Sequence, residues 1–173
     1  LRRLAATIRK STTILLPAWK KQLKNLNQDI LMLKQDVRTR WCSTHDMLKR
    51  AVRLKTAIKS FCEADNDLHP DLDLEEYQLS RREWSIAEQL LEVLKDATLF
   101  FSRSTPNLAS VIPVMDVLDE RLTTTALPGS KTSKGVPYDP AVRFAHKFAQ
   151  QVLNKYYELT DSSECYRIAM GEF

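Results

Sequence analysis

Cys42, His45, Cys62 and His69 place four soft or borderline metal donors within a short span. The spacing does not suit zinc, because Cys42-x2-His45 followed by Cys62-x6-His69 matches none of the usual ligand intervals, and the first pair falls inside a helical pattern. Buried thiols and surface histidines are therefore expected, and no metal. Asp65, Asp67, Asp71 and Asp73 resemble the start of a calcium loop. Neither Asp65 nor Asp67 as first ligand supplies both the glycine at the sharp turn and the glutamate at the twelfth position. An acidic solvated connector is the expectation. A nucleophilic Cys42–His45 pair has no third group to orient it and no oxyanion element. No catalytic residue is assigned.

The remaining candidate is Arg40-Trp41. Arginine presents a planar fork to phosphate oxygens, and tryptophan offers a flat face to an unstacked base. Arg2, Arg3, Arg9, Lys10, Lys20, Lys21, Lys24, Lys34 and Arg38 surround the pair in sequence, a composition suited to a nucleic-acid groove. The opposing reading makes Trp41 a core residue beside Leu48 and Val52. Charge sharpens the first reading, since residues 1–60 hold fifteen Lys and Arg against three Asp and Glu. Residues 61–125 hold five against fourteen. The basic block either faces a polyanion or is neutralised by the acidic block.

The elements that must position these residues are mainly helical. Only three glycines occur in 173 residues, which disfavours a turn-rich β fold and a glycine-rich phosphate loop. No run approaches the ~20 apolar residues that span a bilayer, so no membrane partner is expected. Three widely spaced cysteines point to reduced thiols in a nuclear or cytosolic setting. The chain opens on "LRRLAATIRK" without an initiator Met, as a piece of something longer would.

Leu1, Leu4 and Ile8 share one face of a first helix, and a second begins near Pro17. Residues 30–37, "ILMLKQDV", are the one credible strand. Met47, Ala51, Leu54, Ile58 and Phe61 predict a helix over 40–62, flanked by a ridge of Trp41, His45, Leu48 and Val52. Ser80 and Glu83 form a capping box before a helix with Trp84, Ala87, Leu91, Leu94, Thr98 and Phe101 along one seam. That seam suits partner helices, including self-association. A helix from Thr105-Pro106 carries Leu108, Val111, Ile112, Met115, Leu118 and Leu122, with a kink or break expected at Pro113. Residues 127–140 read as a flexible loop. Asp139-Pro140 then caps a helix expected to turn Ala145, Phe148, Val152, Tyr156 and Leu159 inward. A further helical turn or strand follows at the tail.

"DVRTRWCSTHDMLKRA" closely resembles the Asp-x-x-Thr-Arg-Trp-Asn-Ser-Thr-x-x-Met-Leu signature of hAT-superfamily transposases. "LRRLAATIRKS" looks like the helix before that motif, and "EEYQLSRREWSIAEQLLEVLKDATLFFSRSTPNLASVIPVMDVL" like the stretch after it. "NKYYELTDSSECYRIAM" resembles the run that ends the family's helical insertion. The resemblance implies an all-α (mainly) insertion-domain array, with a short strand from an interrupted RNase H-like core near the N-terminus. Residues 1–39 would belong to the edge of that core and 40–173 to the insertion domain, truncated at its end.

The resemblance further implies a parent activity of cut-and-paste DNA transposition by an Asp-Asp-Glu triad holding magnesium or manganese. It gives Trp41 a stacking role on a flipped base and sets Arg40 beside the DNA backbone. Arg38, Lys34, Lys49 and Arg53 join them as expected DNA contacts. The triad would lie outside this stretch, Asp36 not being one of its members, so no enzyme activity, no cofactor and no small-molecule substrate are expected of the chain alone. Cys42 stands where the family has Asn. The expectation is weak DNA binding in the nucleus, against the alternative of a helical protein–protein interaction module with no nucleic-acid function.

Overall fold

The structure, a computed structural model, describes residues 1–37, 43–63, 73–101 and 108–171, with backbone alone for 94–101, 167 and 170. Eight α-helices run through these residues: α1 (Arg2–Lys10), α2 (Leu15–Asn25), α3 (Ser43–Arg53), α4 (Lys55–Glu63), α5 (Arg81–Phe101), α6 (Val111–Ala126), α7 (Pro140–Asp161) and α8 (Glu164–Met170). Short 3-10 turns stand at Glu75–Tyr77 and Leu108–Ser110. Among the described residues no helix is long and apolar enough to cross a membrane. Internal contacts divide the chain into Leu1–Glu88 and Gln89–Phe173. The boundary expected at residue 40 concerned parentage; by packing, helices on both sides of that point share one core.

In the first unit, α1 buries Leu4 and Ile8 completely, as their spacing requires, against Leu15, Trp19 and Leu23 of α2. Trp19 meets Phe61 edge to face at 5.3 Å. Its Nε1 donates to the Leu31 carbonyl at 3.1 Å. The stripe Met47, Ala51, Leu54, Ile58, Phe61 is buried throughout. The helix expected over 40–62 divides at Leu54 into α3 and α4, although the bonds Leu54 N to Arg50 O and Ile58 N to Leu54 O continue across the break. His45, expected at the surface, is buried on the flanking ridge with Leu48. Burial also pushes its pKa below the ordinary 6.5. Cys62 is buried, and its thiol is pushed up to about 11 by that burial.

Residues 30–37 form no strand; among the described residues the sole β pairing is one isolated bridge, Lys131 to Pro137. The segment starts from a tight end to α2. Asn27 adopts φ 50, its N–H bonds the Lys24 carbonyl and the Gln28 N–H that of Leu23. This is the Schellman arrangement, in which Asn tolerates the left-handed conformation. The extended chain that follows is tied to side chains instead of to a neighbouring strand: Trp19 holds Leu31, and Arg50 donates to the Met32 carbonyl at 3.1 Å.

α5 starts at the expected capping box. Ser80 N donates to Glu83 Oε2 at 2.8 Å and Glu83 N to Ser80 Oγ at 3.2 Å. Trp84 and Ala87 at the head of its seam are buried, Trp84 within the core of the first unit. Lys55 lies over the Trp84 ring at 5.4 Å and pairs with Glu88 at 2.8 Å.

In the second unit α6 and α7 pack side by side. Gln150 reaches Thr123 and Tyr157 reaches Asp116, so the two helices run antiparallel. Thr105-Pro106 lies outside the described residues, and α6 starts at Val111. Pro113 therefore occupies the first turn, where a missing N–H costs no helical bond, and the kink or break expected there takes the form of a 3-10 turn at Leu108–Ser110 giving way to α6 at Val111. The loop at 127–140 is organised rather than open: Thr132 N bonds Val136 O, Tyr138 N bonds Ser130 O, and Thr132 and Tyr138 are buried. Asp139 caps α7 by accepting from Ala141 N at 2.9 Å.

The inward face of α7 is not the expected one. Val142 and His146 are buried, and Gln150 and Tyr157 bond to α6. Phe148, Val152, Tyr156 and Leu159 stand exposed, and so does Ala145. The facing side of α6 presents Asp116, Asp119 and Thr123, which select the polar-tipped row of α7 over its purely apolar one.

Candidate nucleic-acid interface

The extended segment after α2 and the outer side of α3 enclose a cavity of about 200 Å³ lined by Lys34, Asp46, Lys49, Arg50 and Arg53. Helical spacing explains the α3 set: Asp46 and Arg50 are one turn apart, as are Lys49 and Arg53. Lys34 enters from the opposite wall and pairs with Asp46 at 2.5 Å. That contact holds the Asp46 carboxyl below its ordinary value. Arg53 pairs with Asp29 at 2.5 Å. Arg50 is anchored on the neutral Met32 carbonyl. Lys49 is exposed and has no ion-pair partner among the described residues. Four cations against two carboxylates leave the groove positive, and the exposed pairs are weak enough to exchange for a stronger anion.

Beside the groove stands a polar clamp. The Val37 amide donates to Ser43 Oγ at 3.0 Å, and the single proton of that hydroxyl is shared between Asp36 Oδ1 at 2.5 Å and the Val37 carbonyl at 2.8 Å. Thr44 Oγ1 donates to the same Asp36 oxygen at 2.9 Å, and Arg2 pairs with Oδ2. The Ser43 hydroxyl, with Thr44 and Arg2 behind it, holds the Asp36 carboxyl below its ordinary value. The side chain of Asp36 is 2% exposed, so this aspartate is a structural tie between α1, the extended segment and the start of α3.

The structure thus brings Lys34, Lys49 and Arg53 to one groove. Arg38, Arg40 and Trp41 lie outside the described residues, as do Cys42 and His69. Arg50 was not among the expected contacts; its position one turn after Asp46 and next to Lys49 was the signal available. Among the described residues no three His, Cys, Asp or Glu converge as metal ligands. Asp36 and Asp46 already serve hydroxyl and ammonium partners, and neither suits a divalent ion. A larger cavity in the second unit, about 480 Å³, balances Glu92 and Glu120 against Arg121 and Lys131 and so offers no net charge to a polyanion.

Residues 2–93 match the ZBED1 RNase-like helical domain. The chain belongs to this family. The family is part of the hAT/ZBED transposase-derived group, and the match contains the groove, the clamp and the Thr39-Arg40-Trp41 motif. Neither the curated proteins nor the solved structures compared with the chain include a match.

Proposed function

We propose that this chain is a domain derived from a hAT transposase that holds DNA by its phosphates and works in the nucleus without catalysing a reaction of its own. The convergence of Lys34, Lys49, Arg50 and Arg53 on one positive groove carries the reading. Arg38 and Arg40 add cations from the adjoining motif, and Trp41 stacks on an unpaired base where the duplex is distorted or hairpin-ended. Phosphate contacts supply affinity without reading sequence, so binding is weak and strongly salt-dependent.

Fluorescence anisotropy with a hairpin-ended and a plain duplex, titrated over a salt series, tests the reading. The affinity should fall steeply with salt, Lys49→Ala and Arg50→Ala should each flatten the slope by about one, and Trp41→Ala should erase the preference for the hairpin end. Salt-insensitive behaviour with no DNA binding would transfer the chain to the alternative, a helical protein–protein interaction module.

A further inference from the structure

On α7, Phe144 is 62% exposed, Phe148 53%, Val152 57%, Tyr156 55% and Leu159 60%. Steps of four, four, four and three residues set them along one side of the helix, away from the Val142 and His146 row that is buried. Phe144 and Phe148 already meet edge to face at 4.9 Å. Next to this ridge runs a second exposed row, Ala141, Ala145 and Ala149. One helix face therefore presents a bulky ridge and a shallow groove side by side, both rising at the i, i+4 spacing by which helices interdigitate.

We propose that this face pairs with the same face of a second copy of the chain, the two α7 helices crossing antiparallel about Val152. A two-fold contact needs a patch complementary to itself, and ridge beside groove meets that need. With Val152 on the axis, Phe148 packs against the partner's Tyr156, and Lys155 falls over the partner's Ala149 and not against another cation. Apolar area fits as well. Three half-exposed aromatics and two half-exposed aliphatics amount to about 500 Å² per copy. Pairing would then bury about 1,000 Å² in total, the lower end of specific interfaces. A patch of that size exceeds the ~400 Å² commonly left uncovered by design on a soluble surface. The expected dimer is accordingly weak and concentration-dependent.

Sedimentation equilibrium of the 173-residue chain, over about 1 to 200 µM, should show a monomer–dimer equilibrium. Phe148→Glu, at a position outside the unit's own core, should shift it to monomer with helicity by circular dichroism unchanged. In a Cys165→Ser background, Val152→Cys should form a covalent dimer under mild oxidation much faster than Asn154→Cys, which lies on the far side of α7. A monomer at every concentration would overturn the proposal. So would equal cross-linking of the two cysteine variants, or a Phe148→Glu variant that loses stability without changing mass, which would place the cover of this face within the chain itself.

Discussion

The Val37 amide donates to the Ser43 hydroxyl at 3.0 Å, across the five residues that carry the Arg-Trp motif, and that hydroxyl shares its one proton between the Val37 carbonyl at 2.8 Å and Asp36. One buried hydroxyl thus ties Val37 to the start of α3 and also serves Asp36. Ser43→Ala should remove both functions and leave the Val37 amide and the Asp36 carboxylate short of a partner, at a cost of about 1–3 kcal/mol. Urea denaturation measures the loss. A carboxyl depressed in the folded state stabilises it above the unfolded value and yields that stability as pH falls through the folded one. In the variant the pKa of Asp36 should rise back toward 3.8, followed by carboxyl NMR, and acid unfolding should begin at higher pH.

Asp46 occupies part of the positive groove by pairing with Lys34. Asp46→Asn should release Lys34, tighten binding to any duplex, and steepen the salt dependence by about one phosphate contact. Anisotropy over a salt series reads both. Unchanged affinity would mean that phosphates do not enter between Lys34 and Lys49.

His146 is 3% exposed, its two ring nitrogens have no hydrogen-bond partner among the described residues, and it stands edge-on to Tyr138 at 5.8 Å. Burial lowers its pKa from the ordinary 6.5. The unfolded chain then takes up a proton before the folded one does, so stability is full above that value and declines as pH drops below it. His146→Leu should flatten the pH dependence of melting between about pH 5 and 7. His45, whose pKa burial also lowers, should leave a residual slope of the same sign.

Trp19 combines a fully buried ring with one hydrogen bond to Leu31. Trp19→Phe should cost about 1 kcal/mol for the bond plus a smaller packing loss, and Trp19→Ala about 3–5 kcal/mol for the cavity. Both should loosen the groove, the alanine variant further, because both release Leu31, which precedes Lys34 on the same extended segment. Urea midpoints and DNA affinity measured together separate the two effects.

Local chemistry was the most legible part of the sequence. Ser80 with Glu83, Asp139 before Pro140, and the Met47-to-Phe61 stripe each declare their structure within a turn or two. The features that depend on a distant neighbour were not legible. Residues 30–37 have strand-like composition, yet what they meet are the Trp19 indole and the Arg50 guanidinium. On α7 two rows satisfied the helical period, and the choice between them lay with Asp116, Asp119 and Thr123 on another helix. For the same reason Lys34, Lys49 and Arg53 could be chosen by charge, while Arg50 becomes a groove residue only once Met32 is in place beside it.

The Lys34–Asp46 pair also bears on time as well as strength. A carboxylate fixed 2.5 Å from its ammonium competes for it as a tethered group does, at an effective concentration set by the fold and not by the solution. Under the proposed DNA reading, Asp46 is in position to retake Lys34 each time a bound phosphate loosens. Such a groove would favour short residence and rapid exchange along a strand, its hold on any one phosphate brief even where many such contacts act together.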